Sequence, residues 1–304
     1  FISIFRIMFV NSVSGRNFYL NHQKARLENA VLECGAVSRG EARNLLVDTL
    51  GGTVSNCVCR GGSIFCGGQS PMSAGDFADF IALKGVNSLM THCVVTNNAI
   101  RGLCKTSSPG DYTPGICLAS GARVENTLVA FNEHSLTNTD YGSHVGYAAG
   151  IGGNGHIVNC TVVSNMSVEA GGICFRNTSS YDDVADSSIK NTVVAGNVCV
   201  DPEYVTRRAS FVRRPPPQDP DTADGRTQGL SSHSVFGGDV TALFKDFAAG
   251  NFIPRQKGAL IGGGTLNGLD VPKVDLLGRR RVQGLKIDIG AIEGDSSGLT
   301  VLVR

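Results

Sequence analysis

The nine residues VENTLVAFN, at positions 124–132, decide how this chain is read, because the phrase recurs. IVNCTVVSN stands at 157–165 and IKNTVVAGN at 189–197. With the first Asn of each phrase as position zero, matches fall at Asn29, Asn56, His92, Asn126, Asn159 and Asn191, spaced 27, 36, 34, 33 and 32 residues apart. Self-similarity at a period of roughly 20–50 residues marks a solenoid, a propeller or an array.

The columns decide among these. Position −2 holds Leu27, Val54, Met90, Val124, Ile157 and Ile189; position +3 holds Leu32, Cys59, Val95, Val129, Val162 and Val194. Position +1 is small: Ala30, Cys57, Cys93, Thr127, Cys160 and Thr192. This is β-branched, period-two patterning without a helical stripe. Each phrase is too short for a four-stranded blade, so one coil per repeat, stacked by parallel pairing, is the expected architecture. Asn at zero tolerates the left-handed conformation that a bend between strands requires. Stacked Asn amides there are also able to form a side-chain ladder along the axis. The far-end Asn132, Asn165 and Asn197 mark the next corner, and PGICL (114–118), AGIGG (149–153) and GGICF (171–175) supply a second strand station before the phrase.

Position +2 does not fit a simple in–out alternation. It holds Val31, Val58, Val94, Leu128, Thr161 and Val193, and it must face outward. The simpler reading is β-propensity on a solvated face; the other is a docked tail or partner.

These phrases resemble the coils of right-handed parallel β-helix proteins of the pectin-lyase-like superfamily. The C-terminal part, FKDFAAGNFIPRQKGALIGGGT (244–265) and DLLGRRRVQGLKIDIGAIE (275–293), resembles the closing segment of bacterial cell-surface β-helix repeat proteins. That segment ends in Asp-Ile-Gly-Ala-aromatic-Glu; here the run is Asp288 to Glu293, with Ile292 in place of the aromatic. The likeness spans roughly residues 25–293. It implies an all-β, right-handed parallel β-helix, a single-stranded solenoid whose exposed last coil is blunted by a C-terminal cap. Residues 1–197 are read as coils, 198–230 (with RRPPPQDPDTADG at 213–225) as an irregular excursion or linker, and 231–304 as final coil and cap.

Composition narrows the function. A net charge of +1 gives no electrostatic case for nucleic acid or anionic lipid. No apolar run reaches the roughly 18 residues that span a bilayer. FISIFRIMFV at 1–10 is broken by Arg6 and lacks the parts of a secretory signal, so it reads as a strand; upstream domains of a longer, extracellular or surface-located chain are expected. The ten Cys do not read as a zinc or disulfide framework: no Cys-x-x-Cys occurs, and Cys57, Cys93 and Cys160 share the small core column. Neighbouring rungs permit a Cys57–Cys93 bridge without requiring one, and free core thiols are expected.

On a solenoid, function lives on insertions. NAIRGLCKTSSPGDYTP follows Asn97 and EHSLTNTDYGSHVGYAA follows Asn132, at the same station of consecutive coils. Each carries an Asp-Tyr pair, Asp111–Tyr112 and Asp140–Tyr141, with Arg101, Lys105, Glu133, His134, His144 and Tyr147 near them. Tyr faces stack on sugar rings and carboxylates bind hydroxyls or serve as acid and base, so Asp111, Tyr112, Asp140, Tyr141 and His144 are the candidate ligand-binding residues for a polysaccharide or cell-surface glycan. For any single one, solvation of a polar loop is the simpler account. A third insertion, 176–188, carries Asp182, Asp183 and Asp186; Ca²⁺ would suit such hard oxygen ligands, but loop solvation explains them, and neither metal nor cofactor is expected. GIGGNG (150–155) is not followed by a helix and is no phosphate loop. The expectation is a non-enzymatic surface or secreted segment, adhesin- or stalk-like and glycan-contacting. The alternative is a polysaccharide lyase or glycoside hydrolase acting through loops 97–115 and 132–150. The catalytic residues of such an enzyme are not identifiable.

Overall fold

A computed structural model describes residues 5–9, 19–20, 22, 24–34, 36–38, 47–49, 51–66, 80–104, 113–138, 148–167, 170–175, 187–199, 230–269, 271–283 and 285–294. They are almost entirely β, with one short helix among them at Val240–Leu243. The strands form three parallel sheets and one small antiparallel pair, Phe244–Asp246 with Asn251–Pro254. Sheet I has eight strands, from Phe5–Phe9 at one edge to Val235–Phe236 at the other; sheet II has eleven and sheet III six.

The chain visits the sheets in a fixed order. Leu89–Thr91 lies in sheet II, Val94–Thr96 in sheet I and Ala99–Cys104 in sheet III. The next circuit repeats this with Ile116–Glu125, Leu128–Ala130 and Glu133–Asn138, and the one after with Ile151–Val158, Thr161–Val163 and Met166–Ser167. Each strand pairs in parallel with its counterpart one repeat later, position for position: Val95 with Val129, Val129 with Val162, Val162 with Val194. Long parallel sheets advancing one strand per circuit are compatible with a parallel β-helix.

The bends come from residues that accept positive φ. Asn29, Asn56, His92, Asn126, Asn159 and Asn191 all do so, with φ between 44° and 57°. The −2, +1 and +3 columns from the second circuit onward are buried and share one apolar core, so the periodicity has the predicted consequence. Within the small column a single hydrogen bond explains why Cys, Thr and Ser interchange. The polar members donate to the carbonyl two residues back: Cys93 Sγ to Thr91 at 3.2 Å, Thr127 Oγ1 to Glu125 at 2.7 Å and, in the next circuit, where His233 takes the bend at φ 49°, Ser234 Oγ to Ser232 at 3.0 Å. The hydroxyls also accept a backbone N–H from the preceding circuit, as Thr192 Oγ1 does from Cys160 at 3.2 Å.

The continuous amide ladder lies at the second corner, not at position zero. Asn98 Nδ2 donates to Asn132 Oδ1 at 3.0 Å, Asn132 Nδ2 to Asn165 Oδ1 at 2.9 Å, and Asn165 Nδ2 to Asn197 Oδ1 at 2.9 Å. Each Oδ1 also accepts the backbone N–H of the Asn before it, and each Nδ2 also donates to a backbone carbonyl, as Asn132 Nδ2 does to Val95 O at 3.1 Å. At position zero only fragments form among the described residues: Asn191 Nδ2 donates to Asn159 Oδ1 at 3.1 Å, while Asn126 Oδ1 and Asn159 Nδ2 are buried with no partner among them. The difference is burial geometry. The second-corner Asn follows the bend and turns its amide inward, whereas the zero-position Asn is itself the bend.

The outward +2 column is not a solvated face. Leu128 and Val193, with Ala130, Val163 and Ala195, form a second apolar cluster with Leu243, Phe244, Phe252, Ile253, Leu260, Ile289, Ala291 and Ile292. Over Val94, Leu128, Thr161 and Val193 the tail reading of that column is therefore the correct one; Val31 and Val58 lie outside the cluster. The C-terminal segment, expected as an end cap, makes these contacts on the flank of sheet I. Gly290 N donates to Asn191 O at 2.8 Å, Ala291 N to Thr161 Oγ1 at 2.9 Å, and Thr265 and Asn191 exchange two bonds at 2.8 and 2.9 Å. Two circuits earlier in the chain, His92 Nε2 meets Val274 O at 3.0 Å. Thr161, the one polar residue of the column, is the acceptor this latch needs. Gly290 sits at φ 111°, and a Cβ on it would lie 2.9 Å from Thr161 Oγ1 and 3.2 Å from Val193 Cγ1, so only glycine fits.

Candidate functional site

The two insertions singled out in the sequence leave and re-enter the sheets side by side. Ala99–Cys104 pairs with Glu133–Asn138 in register over all six residues, and Ile116 pairs with Ile151 where the chain returns. The re-entry is tight: a Cβ at Gly115 would run into the Gly150 carbonyl, and one at Gly150 into the Gly172 carbonyl. The roots of both loops thus share a station on consecutive circuits. Asp111, Tyr112, Asp140, Tyr141 and His144 lie outside the described residues, as do Lys105, Tyr147 and Asp182, Asp183 and Asp186.

At the foot of the loops, Arg101 and Glu133 come together across the strand pair, with Arg101 Nε donating to Glu133 Oε1 at 2.7 Å. Ser135 Oγ donates to the same oxygen at 2.9 Å. Arg101 holds the Glu133 carboxyl below its ordinary value, with Ser135 helping and partial burial opposing. This pair is a fixed, ionised platform. His134, grouped with it in the sequence reading, turns the other way: it is buried, one rung from Ile100 in the interior, and is not a loop-surface residue. Alternation along the strand already sets Glu133 and Ser135 on one face and His134 on the other.

The closing segment holds a charged centre that the sequence reading passed over as a motif. Arg281 is fully buried, with Nη1 3.0 Å from Glu293 Oε1, and its Nη2 donates to Gly290 O. Asp275, also buried, accepts N–H bonds from Leu277, Arg279 and Glu293 at 2.8–2.9 Å and an Arg279 Nε bond at 3.0 Å. Both oxygens of Glu293 face the Asp288 N–H at 3.2 Å, and Asp288 Oδ1 accepts from Gly262 N at 2.6 Å. Three carboxyls surround two guanidiniums here. Burial pushes the Glu293 carboxyl up to about 8 against the pull of Arg281, and the same burial drives Arg281 below its ordinary value. The centre fixes the 288–294 turn whose Gly290 and Ala291 grip sheet I; it is a structural device.

Cys57, Cys93 and Cys160, the three thiols of the small column, carry no disulfide bond. Burial pushes the Cys160 thiol up to about 12 and raises Cys93 well above its ordinary value, whereas hydrogen bonding with Cys93 lowers Cys57. Also among the described residues, no group of three His, Cys, Asp or Glu side chains is placed to hold a metal ion, and no helix is long and apolar enough to cross a membrane. A further group, Arg123, Glu125 and His156, lines a cleft on the outer side of sheet II. Its signal in the sequence was the −3 and −1 positions flanking the buried Val124. No family model, curated protein or solved structure matches this chain.

Proposed function

We propose that the chain is a parallel β-helix of the pectin-lyase-like type, acting as a non-enzymatic, surface-located or secreted scaffold that presents its loop pair to a glycan. The observation that carries this reading is the registered strand pair under the two insertions, stiffened by the Arg101–Glu133 ion pair. Sheets that grow by one strand per circuit, with an apolar flank locked by the C-terminal latch, suit an extended rod. Loops rooted side by side on such a rod suit a shared sugar surface, for which Tyr112 and Tyr141 are the candidate stacking residues. A screen against acidic and neutral polysaccharides, read by both binding and bond cleavage, tests the reading. Binding without cleavage, lost in a Tyr112→Ala/Tyr141→Ala double variant, is expected. Cleavage of any bound polysaccharide replaces this reading with a lyase or hydrolase, and undiminished binding by the double variant removes the loop pair from it.

A further inference from the structure

The latch stops short of one end of sheet I. It covers Val94, Leu128, Thr161 and Val193, whereas Val31 and Val58, the same outward column in the circuits of Asn29 and Asn56, are half-buried outside its cluster. The +4 column changes character at the same boundary. Beneath the latch it holds Thr96, Ala130, Val163 and Ala195, all buried. Beyond it stand Glu33 and Arg60, register partners joined by a bond from Arg60 Nε to Glu33 Oε1 at 2.8 Å. The apolar strip is therefore one column wide and two rungs long, for the next register partner of Val31 is Arg6.

Where strip and latch meet there is a crevice of about 260 Å³, between Val58, Val94 and Leu128 on sheet I and Phe252, Leu277 and Ile292 on the latch. An apolar cavity of about 150 Å³ takes a benzene-sized group, so this one has room for two aliphatic side chains. A second copy of the chain does not suit the strip. A stable interface between proteins buries roughly 800 Å² on each partner, and two rungs stacked about 4.8 Å apart offer far less. A single extended segment does suit it. GLTVLVR at 298–304, outside the described residues, carries Leu299, Val301 and Val303 at alternate positions, the period of a half-buried strand. It follows the latch directly. Ile292 already lines the crevice, and the seven residues from there to Leu299 span up to about 23 Å when extended.

We propose that residues 298–304 dock on this strip and complete the latch. The Leu299, Val301 and Val303 side fills the crevice and covers Val58 and Val31, while Thr300 and Arg304 face water beside the Glu33–Arg60 pair. The outward column is then covered in every circuit from Asn29 to Asn191 by one continuous C-terminal segment. The docking does not depend on the loop pair or on glycan contact, so the failure of either leaves the other intact.

Amide hydrogen exchange of the full chain at one fixed pH, corrected for intrinsic rates, tests this on peptides covering 298–304. In the parent these amides should exchange at least about tenfold more slowly than in a Leu299→Asp/Val301→Asp variant. Val58→Asp, on the outer face of its strand, should speed their exchange by at least about fivefold while the amides around Val162 keep their protection. The double variant lies outside the circuits, so it decides the matter if Val58→Asp does not fold. Protection in the parent should be the same over an about tenfold range of protein concentration, as docking within one chain requires. Exchange of 298–304 in the parent at the rate of an unstructured peptide, or unchanged exchange in the double variant or in folded Val58→Asp, overturns the proposal. Protection that grows with concentration also overturns it and assigns the strip to a second copy.

Discussion

Two neighbouring columns on the same strands of sheet I are both apolar, yet they are buried by different parts of the chain. Val95, Val129, Val162 and Val194 face inward and meet residues of their own and adjacent circuits. Leu128, Thr161 and Val193 face outward and meet residues from about 240 to 292. A strand covered on both faces reads as a nearly continuous apolar run, and this is why the phrase LVA or TVV lacks clean alternation. The inward column is held redundantly, by every circuit on its neighbours. The outward one depends on one latch, anchored at Thr161, Asn191 and His92 and stabilised from behind by Arg281 and Glu293. Damage to each should therefore look different: broad loss of order for the inner ladder, local release for the outer latch.

The largest effect expected is from Arg281→Met above about pH 8, where Glu293 is ionised: the variant strips that carboxylate of its buried counter-ion and Gly290 O of its donor. Breaking such a pair costs about 3–5 kcal/mol. Limited proteolysis should then cut within 240–294 while the circuits stay protected. Asn132→Ala should cost about 3 kcal/mol, because it leaves Asn98, Val95 and Asn165 with unmade bonds in the interior. Here the loss should appear in the circuits themselves, as a lower urea midpoint by far-ultraviolet circular dichroism. Gly290→Ala should cost about 2 kcal/mol through a strained φ and the approach to Thr161. Protection of the latch, not of the ladder, should fall.

Among the described residues, the pH response expected between about pH 5 and 8 is that of the latch. The Glu293 carboxyl titrates near 8 when folded, above the roughly 4.3 of an exposed Glu. The folded state thus holds its proton more tightly than the unfolded one. Latch stability should fall as pH rises from about 5 to 8, by at most about 1.4 kcal/mol per unit. Amide exchange of peptides in 275–294, followed across that range and corrected for intrinsic rates, checks the sign. A rise in protection towards pH 8 would contradict the assignment to Glu293.

The inner region was legible in the sequence because it is periodic. Position zero, the small column and the core columns repeat six times, and each repeat is independent testimony to the same bend and the same inward face. The latch was half legible. DIGAIE was recognisable as a closing motif, but its place on the flank was not, because contact between Ala291 and Thr161 spans 130 residues and leaves no periodic trace. The single polar exception in the +2 column was the clue, and its meaning depended on the covering partner. The amide ladder was placed one corner too early for a similar reason: the phrases at 124–132, 157–165 and 189–197 each have two Asn, and only the backbone path shows which turns inward. Of the candidate site, the shared station of loops 97–115 and 132–150 followed from spacing, whereas nearness in sequence did not separate His134, which is buried, from Glu133 beside it.

Thr161→Val probes the contrast most directly, since it keeps the shape of the outward column and deletes one acceptor, a change worth about 1–2 kcal/mol. Amide hydrogen exchange should be measured on peptides covering 286–294 and 157–165 in parent and variant. The account predicts exchange at least about fivefold faster at 286–294, with the ladder amides around Val162 unchanged. Equal acceleration of both peptides, or of neither, would contradict the claim that the outer column is held by a separate C-terminal latch.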